Sequence, residues 1–235
     1  MRIIEPSYEI LTEISEGGIK ELQHIEKIGR VCYKSEDKIT EDGESAKKFV
    51  QMLIGRGHEA MIEHSTLSVK FTVDRGVSHE LVRHRIASFA QESTRYCNYS
   101  KDKFDNGITF IKPGWCEENI DGTYKITWDG LYGQSDRHIP EDKATNWWFW
   151  HMALAERDYL KLIANGWTPQ EARSVLPNST KTEITITANY REWRNFFKLR
   201  TAKAAHPSMQ EITRPLLKEL KTRLPIIFDD IEVEE

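Results

Sequence analysis

Apolar residues recur at helical spacing near the start of the chain. Four of them lie three residues apart, with lysine and glutamate between them: Ile19, Leu22, Ile25 and Ile28. This period is typical of a surface helix, which we predict over 19–31. A second helix is predicted through 49–54, with Ser45 as its N-terminal cap and Gly55 and Gly57 as its stop signals.

Farther along the chain the period changes to two. Over 65–73, apolar residues alternate with polar ones, which predicts a strand with one buried face. We interpret 74–76 as a turn. The next apolar stripe, over 77–86, predicts a short helix with the cluster Arg83-His84-Arg85 near its end.

Beyond this cluster the sequence contains more helix signals than strand signals. We expect loops over 99–140, except 108–111, and the longest helix over 141–165. A short helix should follow, opened by the capping box of Thr168 and Glu171, and then a strand over 184–188. Two further helices are expected, one over 190–203 and one that starts at the capping pair Ser208 and Glu211 and contains Pro215. Separate helices with few strands predict an α+β fold. We expect a mixed or antiparallel sheet flanked by helices, in a single domain over 1–235.

Composition limits the partners of the chain. Its 235 residues carry a formal net charge of −4, and the charged 30% form no long block of one sign. We therefore expect no nucleic-acid polymer as a partner, and no membrane, since no stretch approaches the ~20 apolar residues that span a bilayer. Three cysteines without metal-ligand spacing favour a reducing compartment, so we expect a soluble, cytoplasmic protein.

The densest chemistry lies over 83–96, in the sequence RHRIASFAQESTRY. Its three arginines suit phosphate oxygens, and neighbouring guanidinium groups repel each other unless an anion lies between them. A basic helix end can also be only a solvated face, and composition alone leaves both interpretations open. The chain has no glycine-rich phosphate loop, so side chains would have to hold the phosphates of a nucleotide cofactor.

This segment resembles the signature of the flavin-dependent thymidylate synthases, Arg-His-Arg followed by seven residues and a serine, which Arg83-His84-Arg85 and Ser93 reproduce. The resemblance covers about 28–212 and continues, in the family's order, through further segments. These are RGHE at 56–59, EH at 63–64, EAR at 171–173, NYR at 189–191, Asn195, and LR at 199–200.

The resemblance implies a homotetramer with sites shared between subunits, where FAD, dUMP and 5,10-methylenetetrahydrofolate meet. The residues that it assigns to FAD or folate are His58, Glu63, Arg83, His84, Arg85, Gln91, Asn189, Arg191 and Asn195. Those that it assigns to dUMP are Glu80, Arg83, Gln91, Glu92, Ser93, Thr94, Arg95, Arg173 and Arg200. Arg200 resembles the arginine that stabilises negative charge on the uracil ring, so it is our candidate catalytic residue.

The implied reaction transfers a methylene group from the folate to C5 of the uracil ring. Reduced FAD supplies the hydride that completes the methyl group, and NADPH reduces the flavin again. A classical thymidylate synthase uses a cysteine nucleophile, and Cys97 lies near the signature. No base is identifiable beside Cys97, so we expect it to be dispensable, and we expect Ser93 to bind the substrate rather than attack it.

Two histidines upstream of the signature could in principle form a metal site. His58 and His64 are six residues apart, whereas zinc proteases place such histidines four apart on one helical face. A spacing of six corresponds to about 240° around a helix, so we expect no metal here. His58 and Glu63 are instead assigned to the flavin and folate pocket by the resemblance; without it, ordinary hydrogen bonds would be their simplest role.

The chain departs from the family pattern at four positions. Glu80 and Gln91 stand where glutamine and glutamate are frequent, an exchange that would preserve a shared hydrogen-bond network. Ala60 and Cys32 replace hydroxyl residues, so FAD contacts there would come from the backbone or be absent. Two other functions stay open: a module that binds RNA or phosphorylated ligands, and another flavoprotein or nucleotide-modifying enzyme.

Overall fold

The computed structural model describes residues 1–233. Its α-helices are α1 (Ile19–Tyr33), α2 (Glu44–Gly55), α3 (Arg75–Leu81), α4 (Lys143–Ala164), α5 (Pro169–Ala172), α6 (Tyr190–Arg200) and α7 (Pro207–Arg223). Its strands are β1 (Arg2–Ile4), β2 (Ser7–Ile10), β3 (Thr66–Asp74), β4 (Ala87–Gln91), β5 (Thr109–Ile111), β6 (Gly122–Thr123), β7 (Ile126–Asp129), β8 (Tyr132–Ser135) and β9 (Lys181–Asn189). None of these helices combines the length and hydropathy that a bilayer span requires.

The strands form three sheets. One has the strand order β2-β3-β9-β4, and a second has the order β5-β1-β6. In the second sheet β1 pairs parallel with β5 and antiparallel with β6, so the sheet is mixed, while β7 and β8 form a separate antiparallel hairpin. The α+β fold class predicted from the sequence is confirmed. The chain divides into two compact units, and a single domain over 1–235 stays a prediction.

The first unit comprises Met1–Ser7, Phe71–Leu81 and Ala90–Ile184. Its core packs α4 with β1 and β5 through fully buried side chains, among them Ile3, Phe110 and Phe149. Helix α4 is the long helix that the sequence predicted, at 22 residues. It begins where the Asp142 carboxylate accepts a hydrogen bond from the Thr145 backbone N–H, at 2.7 Å.

The second unit comprises Tyr8–Lys70, Val82–Phe89 and the chain from Thr185 onward. Helix α1 packs on α2, and α6 packs on α7. The buried face of α6 is aromatic: the Trp193 and Phe197 rings stack at 5.8 Å, and Phe197 meets Phe228 edge to face at 5.6 Å. Aromatic pairs of this kind stabilise a core beyond the area that they bury, so α6 is a firm support for side chains on its other faces.

Two predicted helix caps are wrong. Helix α2 begins after Gly43, which adopts a left-handed φ of 78°, and Ser45 lies inside the helix, where its hydroxyl accepts from the Thr40 N–H. Helix α7 begins at Pro207, after the His206 cap, so Ser208 is also inside its helix. In both helices the first turn contains a serine that could serve as a cap. The actual cap is Gly43 in α2 and His206, followed by Pro207, in α7.

The predicted turn over 74–76 and the predicted helix over 77–86 are also wrong in their bounds. The Asp74 carboxylate accepts from the Val77 N–H at 2.7 Å, so α3 starts at Arg75, directly after β3. Helix α3 ends at Leu81, which leaves the Arg-His-Arg cluster in the connection to β4. The region 99–140, expected as loops, additionally contains the hairpin of β7 and β8.

Candidate active site

The Arg-His-Arg cluster lines a pocket of about 280 Å³ in the second unit. The lining residues are Arg83, His84, Arg85, Ile86, Glu192, Asn195, Leu199 and Arg200. Four of the candidate cofactor residues and the candidate catalytic arginine are thus brought together, although 116 positions separate His84 from Arg200. Within residues 1–233, no carboxylate lies within ion-pair distance of Arg83 or Arg85.

His84 is the buried centre of this pocket wall, with 6% of its surface exposed. Its Nδ1 lies 2.9 Å from Oε1 of Glu192, and its Nε2 accepts a hydrogen bond from Nε of Arg200 at 3.0 Å. Burial lowers the pKa of His84, and the Arg200 charge lowers it further against the opposing effect of Glu192. The imidazole is therefore neutral, with its proton on Nδ1.

Helix α6 supplies three side chains that contact this imidazole. Glu192, Phe196 and Arg200 are spaced four residues apart, so they lie on one helical face. The Phe196 ring meets the imidazole edge to face at 4.9 Å. The helix is fixed at its start, where the Asn189 side chain accepts from the Glu192 N–H at 2.8 Å. Asn189 thereby also orients the first turn of α6.

A second pocket of the same unit, of about 500 Å³, shares Ile86, Glu192 and Asn195 with the first. Its remaining lining residues are Glu59, Glu63, Asn189, Arg191 and Lys198. Four of the residues that the resemblance assigns to FAD therefore line one cavity: Glu63, Asn189, Arg191 and Asn195. His58 is not among the lining residues; it is exposed and lies 3.3 Å from the Tyr33 hydroxyl.

The cavity walls contain ion pairs of different strength. Arg191 contacts Glu63 at 2.5 Å, but both side chains are about half exposed, so water weakens this pair. Arg194 is 1% exposed and is held by Glu59 and by both carboxylate oxygens of Asp230. This pairing lowers the pKa of Asp230. A buried guanidinium thus anchors Glu59 in the pocket wall.

The residues of the two pockets fit FAD as a cofactor. A protein without a glycine-rich loop needs cationic and amide side chains to bind the phosphates and the polar edges of a dinucleotide. The pockets offer the guanidinium groups of Arg83 and Arg85, the amide of Asn195 and the ammonium group of Lys198. The apolar surface of Ile86, which is 69% exposed, borders both cavities.

In the first unit, the residues assigned to dUMP surround the turn after β4. The Ser93 hydroxyl accepts from the Arg95 N–H at 3.3 Å, and the Arg173 guanidinium donates to the Thr94 hydroxyl at 3.2 Å. Arg173 and the signature loop are therefore brought together. Arg95 is exposed, with its guanidinium over the Tyr96 ring.

Glu92 and Gln91 are held by residues that the sequence analysis did not single out. Glu92 accepts from Tyr99 Oη at 2.8 Å and from Lys181 Nζ at 2.9 Å. Gln91 donates its amide hydrogens to the hydroxyls of Ser78 and Thr182. Glu80 lies in α3, and the exchange of Glu80 with Gln91 stays a prediction.

Cys97 has no activated thiol. Burial raises its pKa, and the nearby Glu92 carboxylate raises it further. Its backbone N–H donates to the Ser93 carbonyl at 2.9 Å, so its place in the fold is the turn of the signature loop. A thiol that is protonated at neutral pH is a poor nucleophile, as expected from the sequence.

Comparison with known proteins decides the family. Residues 19–226 match the family model described as thymidylate synthase complementing protein, Thy1. The chain belongs to this family. Over 222 residues it is 30% identical to the flavin-dependent thymidylate synthase of Corynebacterium aurimucosum, with 94% of this chain and 84% of that protein covered. The family predicted from the Arg-His-Arg signature is confirmed.

Further similarities agree with this membership. The flavin-dependent thymidylate synthase of Mycobacterium tuberculosis is 28% identical over 214 residues, covering 89% of this chain and 79% of that protein. The crystal structure of the UMP/dUMP methylase PolB from Streptomyces cacaoi, bound with 5-Br dUMP, has a similar fold. Its TM-score is 0.71 at 19% identity, with 97% of this chain and 96% of that chain covered.

Proposed function

We propose that this member of the Thy1 family converts dUMP to dTMP by reductive methylation. The carbon would come from 5,10-methylenetetrahydrofolate, and bound FAD, reduced by NADPH, would supply the hydride. The proposal is carried by one observation: the signature residues Arg83, His84 and Arg85 line the same pocket as Arg200 in a chain whose relatives are flavin-dependent thymidylate synthases. The enzyme class is therefore a methyltransferase.

For the cofactor, we assign roles by charge and position. Arg83 and Arg85 would bind the FAD phosphates, since their charges are not neutralised by a carboxylate within residues 1–233. Asn195 and Arg191 would contact polar edges of the cofactor from the larger cavity. His58 and Glu63 are proposed to contact the flavin and folate, as the resemblance implies.

For the substrate, we assign the signature loop to the dUMP phosphate. Hydroxyl and guanidinium donors of Ser93, Thr94 and Arg173 suit a phosphate dianion, and Glu92 holds the loop through Lys181. Arg200 would stabilise the negative charge that develops on the uracil ring, which makes C5 more nucleophilic. Ser93 and Cys97 do not attack the substrate in this scheme.

Assembly and location belong to the same proposal. We propose a cytoplasmic homotetramer with sites shared between subunits, as the resemblance implies, and small molecules as its only ligands. The acidic net charge of −4 supports the absence of a nucleic-acid polymer among them.

The experiment that tests the function has two stages. Purified protein is first assayed by absorbance for stoichiometric flavin, before and after reconstitution with FAD. Loaded protein is then assayed for tritium release from C5 of labelled dUMP, with folate and NADPH present. We expect flavin binding and folate-dependent release of tritium. Protein that cannot be loaded with FAD, or that releases no tritium when loaded, would overturn the proposal.

A further inference from the structure

We infer that Glu192 is a positioning residue, which fixes the His84 imidazole in the tautomer that holds the Arg200 guanidinium for the reaction. The inference rests on the proposed function, in which Arg200 stabilises charge on the uracil ring. Glu192 belongs to none of the residue sets that the sequence assigned to the site. Its contribution is visible only in the hydrogen bonds that meet at His84.

The two contacts of His84 demand the same protonation state. A carboxylate only accepts hydrogen bonds, so the contact of 2.9 Å with Glu192 requires the proton on Nδ1. An arginine Nε only donates, so the contact of 3.0 Å with Arg200 requires a lone pair on Nε2. The two contacts therefore favour the same tautomer. The carboxylate of Glu192 keeps the proton on Nδ1, which leaves Nε2 free to accept from Arg200.

Removal of the carboxylate would remove this selection. With an apolar side chain at position 192, the His84 proton could move to Nε2, where it would face the N–H of Arg200. Two donors repel at hydrogen-bond distance, so the guanidinium would leave its place. The Phe196 ring, which holds the imidazole by an edge-to-face contact at 4.9 Å, would keep the ring itself in position. Glu192 also accepts two long hydrogen bonds, each of 3.4 Å, from the Asn195 amide. A loss of kcat at unchanged flavin content is therefore the part of the damage that belongs to Arg200.

Helix α6 makes this arrangement stiff. Glu192 and Arg200 are eight residues apart on one face of a helix whose adjoining face is packed into an aromatic core. The distance between the two groups that grip His84 is therefore set by the helix and not by a loop. A residue supported in this way can hold a catalytic group within the narrow limits that catalysis needs.

The test compares Glu192→Leu with Glu192→Gln. Leucine removes the acceptor, whereas glutamine keeps an acceptor oxygen for Nδ1–H. We expect Glu192→Leu to lower kcat about tenfold or more, with the KM for dUMP and the flavin content near those of the unaltered enzyme, because an interaction made in the transition state is lost. Glu192→Gln should restore most of kcat. Glu219→Gln, on α7 and away from the site, is the matched control.

A spectroscopic readout tests the tautomer directly. Long-range ¹H–¹⁵N spectra of protein labelled at histidine, with His84→Gln to assign the signal, should show the proton of His84 on Nδ1. The signal should change to the other tautomer in Glu192→Leu. A proton on Nε2 in the unaltered protein, or an unchanged kcat in Glu192→Leu, would overturn the inference. If the unaltered enzyme releases no tritium, the proposed function fails instead, and the spectra still test the geometry.

Discussion

Nε of Arg200 donates a hydrogen bond to Nε2 of His84 at a distance of 3.0 Å. The two residues come from the signature cluster and from the end of α6. Because Nε2 must stay unprotonated for this contact, the state of the pocket depends on pH. Glu192 and Arg200 are the charged groups that contact the imidazole from α6, and Arg83 and Arg85 flank it in sequence.

The first prediction concerns pH. Folding lowers the pKa of His84, so the unfolded chain takes up a proton on this residue at a higher pH than the folded chain does. The stability from His84 is therefore fully present above about pH 6.5 and is lost as the pH falls toward the lowered pKa. Thermal unfolding midpoints between pH 8 and 5 should fall less for His84→Gln than for the unaltered protein. Equal slopes would contradict this prediction.

The second prediction concerns Arg200. Arg200→Ala should lower the rate of tritium release by about 100-fold, a typical loss for one charge-stabilising donor. The flavin should stay largely bound, because the other lining residues of both pockets are unchanged. Arg223→Lys on α7, whose partner is Glu219, serves as a control and should retain full activity. Unchanged turnover in Arg200→Ala would show that another group stabilises the charge.

Part of this site could be predicted from the sequence alone. The signature and the segments after it identified the family, and the α+β class followed from the hydrophobic periods. Glu192 could not be found by motif, since its role exists only through a contact with His84, 108 positions earlier. One signal was available: Glu192 precedes Arg200 by eight residues, on the same face of a predicted helix. The individual site residues stay predictions until variants are measured.

The third prediction concerns Cys97. Cys97→Ala should retain thymidylate formation within about twofold, because the raised pKa keeps the thiol protonated and a serine or cysteine nucleophile needs an adjacent base. The measurement is the rate of dTMP formation at saturating dUMP. Cys32→Ala, at an exposed position, is the control. Complete loss of activity with FAD still bound would restore the classical cysteine mechanism.

The fourth prediction concerns the support of the signature loop. Lys181 contacts both Glu92 and Glu183 at less than 3 Å, and these contacts raise its pKa against the effect of burial. Lys181→Met should loosen the turn that holds Ser93 and raise the KM for dUMP about fivefold, which corresponds to ~1 kcal/mol. Flavin content should not change. Lys125→Met, at an exposed position, should leave the KM unaltered.

The fifth prediction concerns the ion pair of Arg194 and Asp230. The Asp230 carboxylate is about half exposed, so water weakens the pair. We therefore expect Asp230→Asn to lower the free energy of unfolding by only about 1 kcal/mol at neutral pH. The lowered pKa of Asp230 means that this stability is present above about pH 4 and is lost as the pH falls further. Chemical denaturation at two pH values measures both effects. Glu232→Gln, at an exposed position nearby, should change neither.

The helix starts show where the sequence was insufficient. Ser45 and Ser208 both have the chemistry of a cap, yet each lies inside its helix. At α2 the cap is Gly43, whose left-handed φ of 78° favours glycine and where a side chain would lie 2.4 Å from the Ile19 side chain of α1. Such a contact between two helices is not encoded in the local sequence. The hairpin of β7 and β8 was missed because its few apolar residues form no extended period.

The buried Arg194 also limits which substitutions homologues can carry at its partner positions. Its guanidinium is buried and shared between Glu59, which lines the larger pocket, and Asp230, which follows α7. A buried charge that loses all its partners is costly, whereas the loss of Asp230 alone leaves Arg194 with Glu59 and the Ile227 carbonyl. Homologues that keep Arg194 should therefore keep an acid at position 59 or at position 230, and those that lose both acids should have lost the arginine as well.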